Sequence, residues 1–172
     1  MNNEQQAMRH SLAHIMAQAV QHLWPQAKFG VGPAIEQGFY YDIDLGDVTI
    51  SEADFGTIEK EMRRIIARDL PFTHRDVPVD EAKETDQPYK VELLNDLKRS
   101  GTTIAKELAG EALGSAAEGE SKVKTVSLYS QGDYTDLCRG GHVESTGKVG
   151  AFKLLRVAGA YWRGDETRPQ MQ

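Results

Sequence analysis

One uninterrupted helical pattern at the start of the chain, closed by a proline, constrains the fold more than any other feature. From Glu4 to Trp24, the residues Met8, Leu12, Ile15, Met16, Ala19 and Leu23 recur at helical spacing, and Pro25 supplies the stop. A helix of some 20 residues runs ~30 Å, about the width of a small domain, so the rest of the chain must pack along it. At 100° per residue the apolar stripe centres near Leu12. His10 and His14 then fall about 160° and 200° away, together on the opposite face. Ala13 and Ala17 lie between the two faces, where another backbone can approach closely.

The remaining patterns mix strands with helices. "KFGVGPAIEQGFYYDIDLG" reads as a hairpin turning at "EQG", with Phe39, Tyr41 and Ile43 alternating against Tyr40, Asp42 and Asp44. Gly30, Gly32 and Pro33 make its first strand irregular. A second helix begins at Ser51, where "SEAD" resembles a capping box, and ends before Pro71. "PFTHRDVPV" is expected to be a short strand, "VDEAKETD" a short helix, and "PYKVELLNDL" a helix after Pro88. Residues 100–121, rich in Gly, Ala and Ser, are expected to form an exposed insertion. "KVKTVSLYS" alternates like a strand, "GDYTDLCRGGHVESTGKVG" reads as a long loop-rich stretch, and "AFKLLRVAGAYWRGDE" as a last strand and a turn. The fold class is therefore α+β: a mixed, largely antiparallel sheet packed with helices, one of them long and N-terminal.

Composition removes several functions. With 172 residues, 40% hydrophobic and 27% charged, the chain suits one globular domain. No stretch reaches the ~20 apolar residues of a membrane span. "MNNEQQAMRH" lacks the apolar core of a signal peptide, and the single Cys138 excludes an internal disulfide. A cytoplasmic setting without a membrane partner is expected. Residues 1–86 carry 8 Lys+Arg against 15 Asp+Glu, and residues 87–172 carry 12 against 11. Such a chain is a poor binder of long nucleic acid by charge alone, so an RNA partner would be handled at its tip.

Two pairs share one spacing: His10 with His14, and Cys138 with His142 across "CRGGH". On a helix the first pair projects from one face. Paired glycines would let the second close in a tight turn. Three imidazoles and a thiol form a tetrahedral nitrogen and sulfur set of the kind zinc takes, with Asp136 near enough in sequence to orient an imidazole or a water. Each feature has a plainer reading: a solvated histidine pair, a buried small thiol, a simple turn, and a surface lysine at Lys90. Residue types alone leave a metal or hydrolytic site and these plainer readings evenly balanced. His22 and His74 have no comparable partner in the sequence.

The blocks "RHSLAHIMAQAVQHLWP", "GPAIEQGFYYDID", "PYKVELL", "YTDLCRGGHV" and "AGAYWRGDE" together resemble the editing domain of bacterial threonyl-tRNA synthetases. More distantly, the module is similar to the editing domain of alanyl-tRNA synthetases and their free-standing relatives. The resemblance runs from Arg9 to Glu166. It implies hydrolysis of serine wrongly esterified to threonine tRNA, with His10, His14, Lys90, Asp136, Cys138 and His142 as the editing residues. By the same motifs Tyr40, Tyr41, Arg139 and Gly140 fall at the substrate. It also implies that no metal is required, although His10, His14, Cys138 and His142 are suited to take up zinc. The partners implied are the 3′ end of tRNA(Thr) carrying serine and the other domains of a parent synthetase.

Gly141 stands where the family often has proline. The chain is expected to be one editing domain over residues 1–172, with residues 163–172 beginning a linker to an aminoacylation domain. Two alternatives stand beside this reading: a free-standing zinc-dependent aminoacyl-tRNA deacylase, and a non-catalytic module that positions tRNA.

Overall fold

A computed structural model describes residues 1–82, 87–100 and 124–172. The expected long helix is present as α1, Asn3–Leu23. Asn2 caps it through a reciprocal pair: Gln5 N–H donates to Asn2 Oδ1 (2.8 Å), and Asn2 N–H to Gln5 Oε1 (3.3 Å). Its middle is buried all round, including Ser11 through Ile15 and Ala17 through Val20. One face meets α2, Phe55–Ala67, whose Ile58, Met62 and Ile65 enter the same core. The other face meets the hairpin and a sheet, so the two histidines are enclosed, not wet. A single 3₁₀ turn, Glu52–Asp54, leads into α2, and the Asp54 carboxylate accepts from the Ser51 backbone N–H (2.8 Å).

The hairpin is built from four two-residue strands: β1 Lys28–Phe29, β2 Ala34–Ile35, β3 Gly38–Phe39 and β4 Ile43–Asp44. β2 pairs with β3 across the expected turn, and β1 with β4, both antiparallel. The irregularity expected at Gly32 has a steric cause. A Cβ there would sit 2.2 Å from the Tyr41 ring, so only glycine lets that ring lie across the strand.

The largest sheet has the order β5-β6-β7, formed by Thr73–Pro78, Thr125–Gln131 and Tyr134–Leu137. All strand pairs among the described residues are antiparallel. Helix α3, Pro88–Ser100, packs Leu93, Leu94 and Leu97 into a second core with Leu128, Leu137 and Trp162.

Several expectations are corrected. Of residues 79–86, expected as a short helix, Val79 to Glu81 form a turn, with Pro78 C=O accepting from Glu81 and Ala82 N–H, and residues 83–86 lie outside the described residues. Tyr134–Leu137, expected inside a loop, is a strand, because Gly132 (φ 58°) turns the chain back onto β6. Residues 151–166, expected to supply a last strand and a turn, run without regular structure over 151–159 and then form the short strand β8, Ala160–Tyr161, which pairs with β9, Gln170–Met171, and a single 3₁₀ turn, Trp162–Gly164. The insertion expected over residues 100–121 lies outside the described residues beyond Ser100.

Residues 163–172, expected to begin a linker, are exposed at 164–167, 169 and 170, and their end is anchored on the fold. Met171 is buried, and Gln172 and Ile43 exchange backbone hydrogen bonds of 2.8 and 2.9 Å. No helix among the described residues is long and apolar enough to cross a membrane.

Candidate active site

The space between α1 and the β6-β7 sheet holds a buried polar cluster. Helical spacing brings His10 and His14 together from α1, with ring centroids 4.8 Å apart and exposures of 5% and 1%. Strand β7 contributes from the other side. Tyr134, Asp136 and Cys138 alternate onto its inner face, and all three are buried.

The chain then reverses through Gly140 (φ 88°) and Gly141 (φ 81°), a backbone form that favours glycine. This reversal returns His142 to Cys138, with Sγ and Nε2 3.3 Å apart. The His142 ring stacks on His10 at 4.2 Å and meets His14 at 4.3 Å. Phe72 covers His142 at 4.7 Å and nearly parallel.

Lys90 and Tyr41 complete the cluster. Lys90 lies on the face of α3 that carries Leu93 and Leu94, and is 3% exposed. Its Nζ is 2.7 Å from Asp136 Oδ1 and donates to Tyr41 Oη at 3.1 Å. The Tyr41 hydroxyl donates to Asp136 Oδ2 at 2.5 Å and accepts from the Tyr134 hydroxyl at 3.2 Å. His14 Nε2 stands 3.3 Å from the same Oδ2. Asp136 thus joins two helices, α1 and α3, and the hairpin to the sheet that carries it.

Hydrogen bonds fix part of the histidine chemistry. The Gly140 carbonyl can only accept, so His10 Nδ1 carries the proton of their 2.9 Å bond and Nε2 keeps a lone pair. Ser11 Oγ accepts from Val143 N–H at 3.0 Å and lies 3.3 Å from His142 Nδ1, which anchors the glycine loop to α1. Burial is the main force lowering the pKa of all three imidazoles below the ordinary histidine value. Like-charge neighbours add to it at His14 and His142. All three are neutral at neutral pH. Burial, then the Asp136 charge, raises Tyr41 and Tyr134, which remain phenols.

The residues expected at the site divide into two sets. His10, His14, Lys90, Asp136, Cys138, His142 and Tyr41 converge, and Gly140 supplies its carbonyl and a contact surface. Tyr40 occupies the opposite side of the pleat and is 37% exposed, and Arg139 is exposed at the loop. Tyr134, Ser11 and Phe72 were not singled out in the sequence. Tyr134 stands two residues before Asp136 on the same side of the strand, an alternation masked in the sequence by the turn-forming residues around it. His22, with no comparable partner in the sequence and expected to be structural or solvated, joins two elements: Nδ1 lies 2.9 Å from Glu61 and Nε2 2.9 Å from Asp133.

Three neutral imidazoles and a thiol, with donor atoms all within 4.8 Å of one another, form a donor set that suits zinc. The same groups, beside a buried ammonium and a carboxylate, can accept a proton and stabilise a developing anion without one.

This α+β arrangement belongs to a described class. Residues 126–172 match the family model "Threonyl and Alanyl tRNA synthetase second additional domain". The wider chain is 47% identical over 167 residues to "Threonine--tRNA ligase" of Dehalococcoides mccartyi, covering 96% of this chain and 24% of that protein. It is 46% identical over 170 residues to the protein of that name from Acetivibrio thermocellus, covering 96% and 23%. With that from Bdellovibrio bacteriovorus the identity is 44% over 172 residues, covering 97% and 23%. The chain therefore belongs to the threonyl-tRNA synthetase family, as a region containing the second additional domain, and spans about a quarter of the length of these relatives.

Proposed function

We propose that this region edits: it hydrolyses the ester joining serine to the 3′ end of tRNA(Thr), as a domain of a cytoplasmic threonyl-tRNA synthetase. The observation that carries the reading is the convergence of neutral His10, His14 and His142 on the buried Lys90–Asp136 pair. Family membership supplies the substrate, since a site in a threonyl-tRNA synthetase meets aminoacyl esters of threonine tRNA.

The residues divide the chemistry among them. His10 Nε2 holds a lone pair and accepts a proton from water as the water oxygen bonds to the ester carbonyl carbon. The carbonyl oxygen becomes an oxyanion, and Lys90 offers it the ammonium N–H not engaged by Asp136 or Tyr41. The C–O ester bond then breaks, and His10 returns the proton to the departing ribose oxygen. The products are free serine and uncharged tRNA. Asp136 does not react; it orients Lys90 and His14.

Selectivity has a steric logic. Serine lacks one methyl of threonine, which separates them by only about 1–3 kcal/mol in a pocket, so a second site too small for that methyl improves discrimination.

A second reading, a zinc-dependent aminoacyl-tRNA deacylase, draws support from the nitrogen and sulfur donor set. His10, His14, Cys138 and His142 would hold the ion, which would supply a more acidic bound water.

The deciding experiment measures deacylation of Ser-tRNA(Thr) beside Thr-tRNA(Thr), with and without a chelator. Selective loss of serine that survives chelation supports the metal-free reading. Loss that stops with chelator supports the zinc reading. Hydrolysis of neither ester, with tRNA still bound, would leave a positioning module.

A further inference from the structure

The "AGAYWRGDE" block has no member in the buried cluster, yet it grips the helix that carries Lys90. In the 3₁₀ turn after β8, Arg163 adopts φ 58°, a left-handed form that residues other than glycine seldom take. Such a backbone form persists only where its surroundings hold it, and it often marks a working position. The Arg163 side chain is 13% exposed and joins two carboxylates of α3. One terminal nitrogen lies 3.0 Å from Glu92 Oε1, and the other pairs with Asp96 Oδ2. Glu92 also pairs with Arg168 and accepts from the Trp162 indole N–H at 3.3 Å.

Helical spacing explains why α3 needs this grip. Glu92 and Asp96 stand four residues apart, so two like charges share one flank and repel without a cation between them. At 100° per residue they lie about 200° and 240° round the helix from Lys90, which shares the buried stripe with Leu93, Leu94 and Leu97. Burial of the leucines is non-directional and sets the rotation of α3 only loosely. A planar guanidinium spanning two carboxylates is directional and sets it closely. Lys90 Nζ ends a long side chain, so a small rotation of the helix is magnified there. A misplacement of about 1 Å at the chemistry can cost on the order of 100-fold in rate.

We propose that Arg163 is a positioning residue: by bridging Glu92 and Asp96 it sets the rotation of α3 and aims Lys90 at Asp136 and at the developing oxyanion. Its effect on hydrolysis rests on the editing reading above; its effect on the placement of Lys90 does not.

Two readouts test the proposal: kinetics on Ser-tRNA(Thr), and the ¹H–¹⁵N signal of the Lys90 ammonium in lysine-labelled protein, kept visible by its buried pairing with Asp136. Arg163→Met should lower kcat by roughly 10–100-fold with KM little changed, and should shift or broaden the Lys90 signal. Adding Asp96→Asn removes the repulsion left on α3. In that double variant, stability to urea should recover in part while kcat and the Lys90 signal stay as in Arg163→Met. Arg99 pairs with the same Asp96 at 3.0 Å but is 77% exposed, so Arg99→Met should leave both readouts unchanged.

A rate that returns together with stability in the double variant would make Arg163 merely structural and overturn the proposal. An unmoved Lys90 signal in Arg163→Met would overturn it as well. An unmodified chain without hydrolysis, whose Lys90 signal still moves in Arg163→Met and not in Arg99→Met, would uphold the positioning and count against the editing reading alone.

Discussion

Lys90 Nζ lies 2.7 Å from Asp136 Oδ1, and each side chain is only 3% exposed. Neither charge has access to bulk water, so each depends on the other and on Tyr41. Removing one member of such a pair leaves an uncompensated buried charge, at a cost of about 3–5 kcal/mol. Lys90→Met should therefore destabilise the chain by that order and abolish hydrolysis. Lys90→Met with Asp136→Asn should be less destabilised than the sum of the single changes. Urea unfolding of the four chains checks both statements; simple additivity would mean that the two charges are not energetically joined.

The glycine pair separates a tight contact from an open turn. A Cβ on Gly140 would fall 2.1 Å from the Tyr129 hydroxyl, whereas one on Gly141 meets nothing within 4 Å. Both have positive φ, so either alanine carries a backbone penalty of roughly 1–2 kcal/mol. Only Gly140→Ala also displaces the carbonyl that holds His10 Nδ1. Hydrolysis should fall at least about 100-fold in Gly140→Ala, as for a misplaced catalytic group, and by less than tenfold in Gly141→Ala. Tyr129→Ala in the Gly140→Ala background should recover part of the loss. Equal rates for the two alanine variants would remove Gly140 from the argument.

How much of this was legible in the sequence depends on the element. The His10–His14 pair and the Cys138–His142 turn are local, and spacing alone placed each pair together. That the two pairs meet is a tertiary fact: residue types leave it evenly balanced against plainer readings, and the resemblance to the editing domain favours it. Lys90 looked like a surface lysine, yet it stands three and four residues before Leu93 and Leu94 on the buried stripe of α3. A charge on an apolar stripe was the available signal, and it was outweighed by the expectation that lysines are solvated. Tyr134 is hidden for another reason. "GDYTDLCRGG" is crowded with turn-forming residues, so the strand inside it, with its alternating Tyr134, Asp136 and Cys138, was not separated from the turns on either side.

His22 gives the chain a pH dependence outside the site. Burial disfavours its cation, but hydrogen bonds to Glu61 of α2 and to Asp133 in the β6-β7 turn outweigh burial and raise its pKa. Arg64 pairs with Glu61 from the same helix, and Gln18 donates to Asp133 at 2.7 Å. A group whose folded pKa is raised stabilises the fold fully below its unfolded value, ~6.5 for histidine, and loses that contribution as pH rises through the folded value. At still lower pH the two carboxylates protonate and the bonds fail from the other side. His22→Gln should thus cost about 1 kcal/mol near pH 6 and distinctly less near pH 9, the small size reflecting solvent screening. Urea unfolding of both chains at the two pH values measures the difference. A gap that widens at the higher pH would reverse the sign of the argument.

Added zinc distinguishes a proton-accepting site from a metal-dependent one. The four donor atoms lie within 4.8 Å of one another and the imidazoles are neutral, so the cluster has lone pairs to offer an ion. In the metal-free reading, one of those lone pairs is the working group: His10 Nε2, left free because Nδ1 donates to Gly140. An ion that takes it removes the acceptor for the water proton. Zinc titrated into chelator-treated protein should therefore slow deacylation of Ser-tRNA(Thr), and chelator should restore it. Cys138→Ser weakens the donor set by replacing its thiol, and should shift inhibition to higher zinc concentration. Acceleration by zinc in the unmodified chain, lost in Cys138→Ser, would instead make His10 a ligand and not a base.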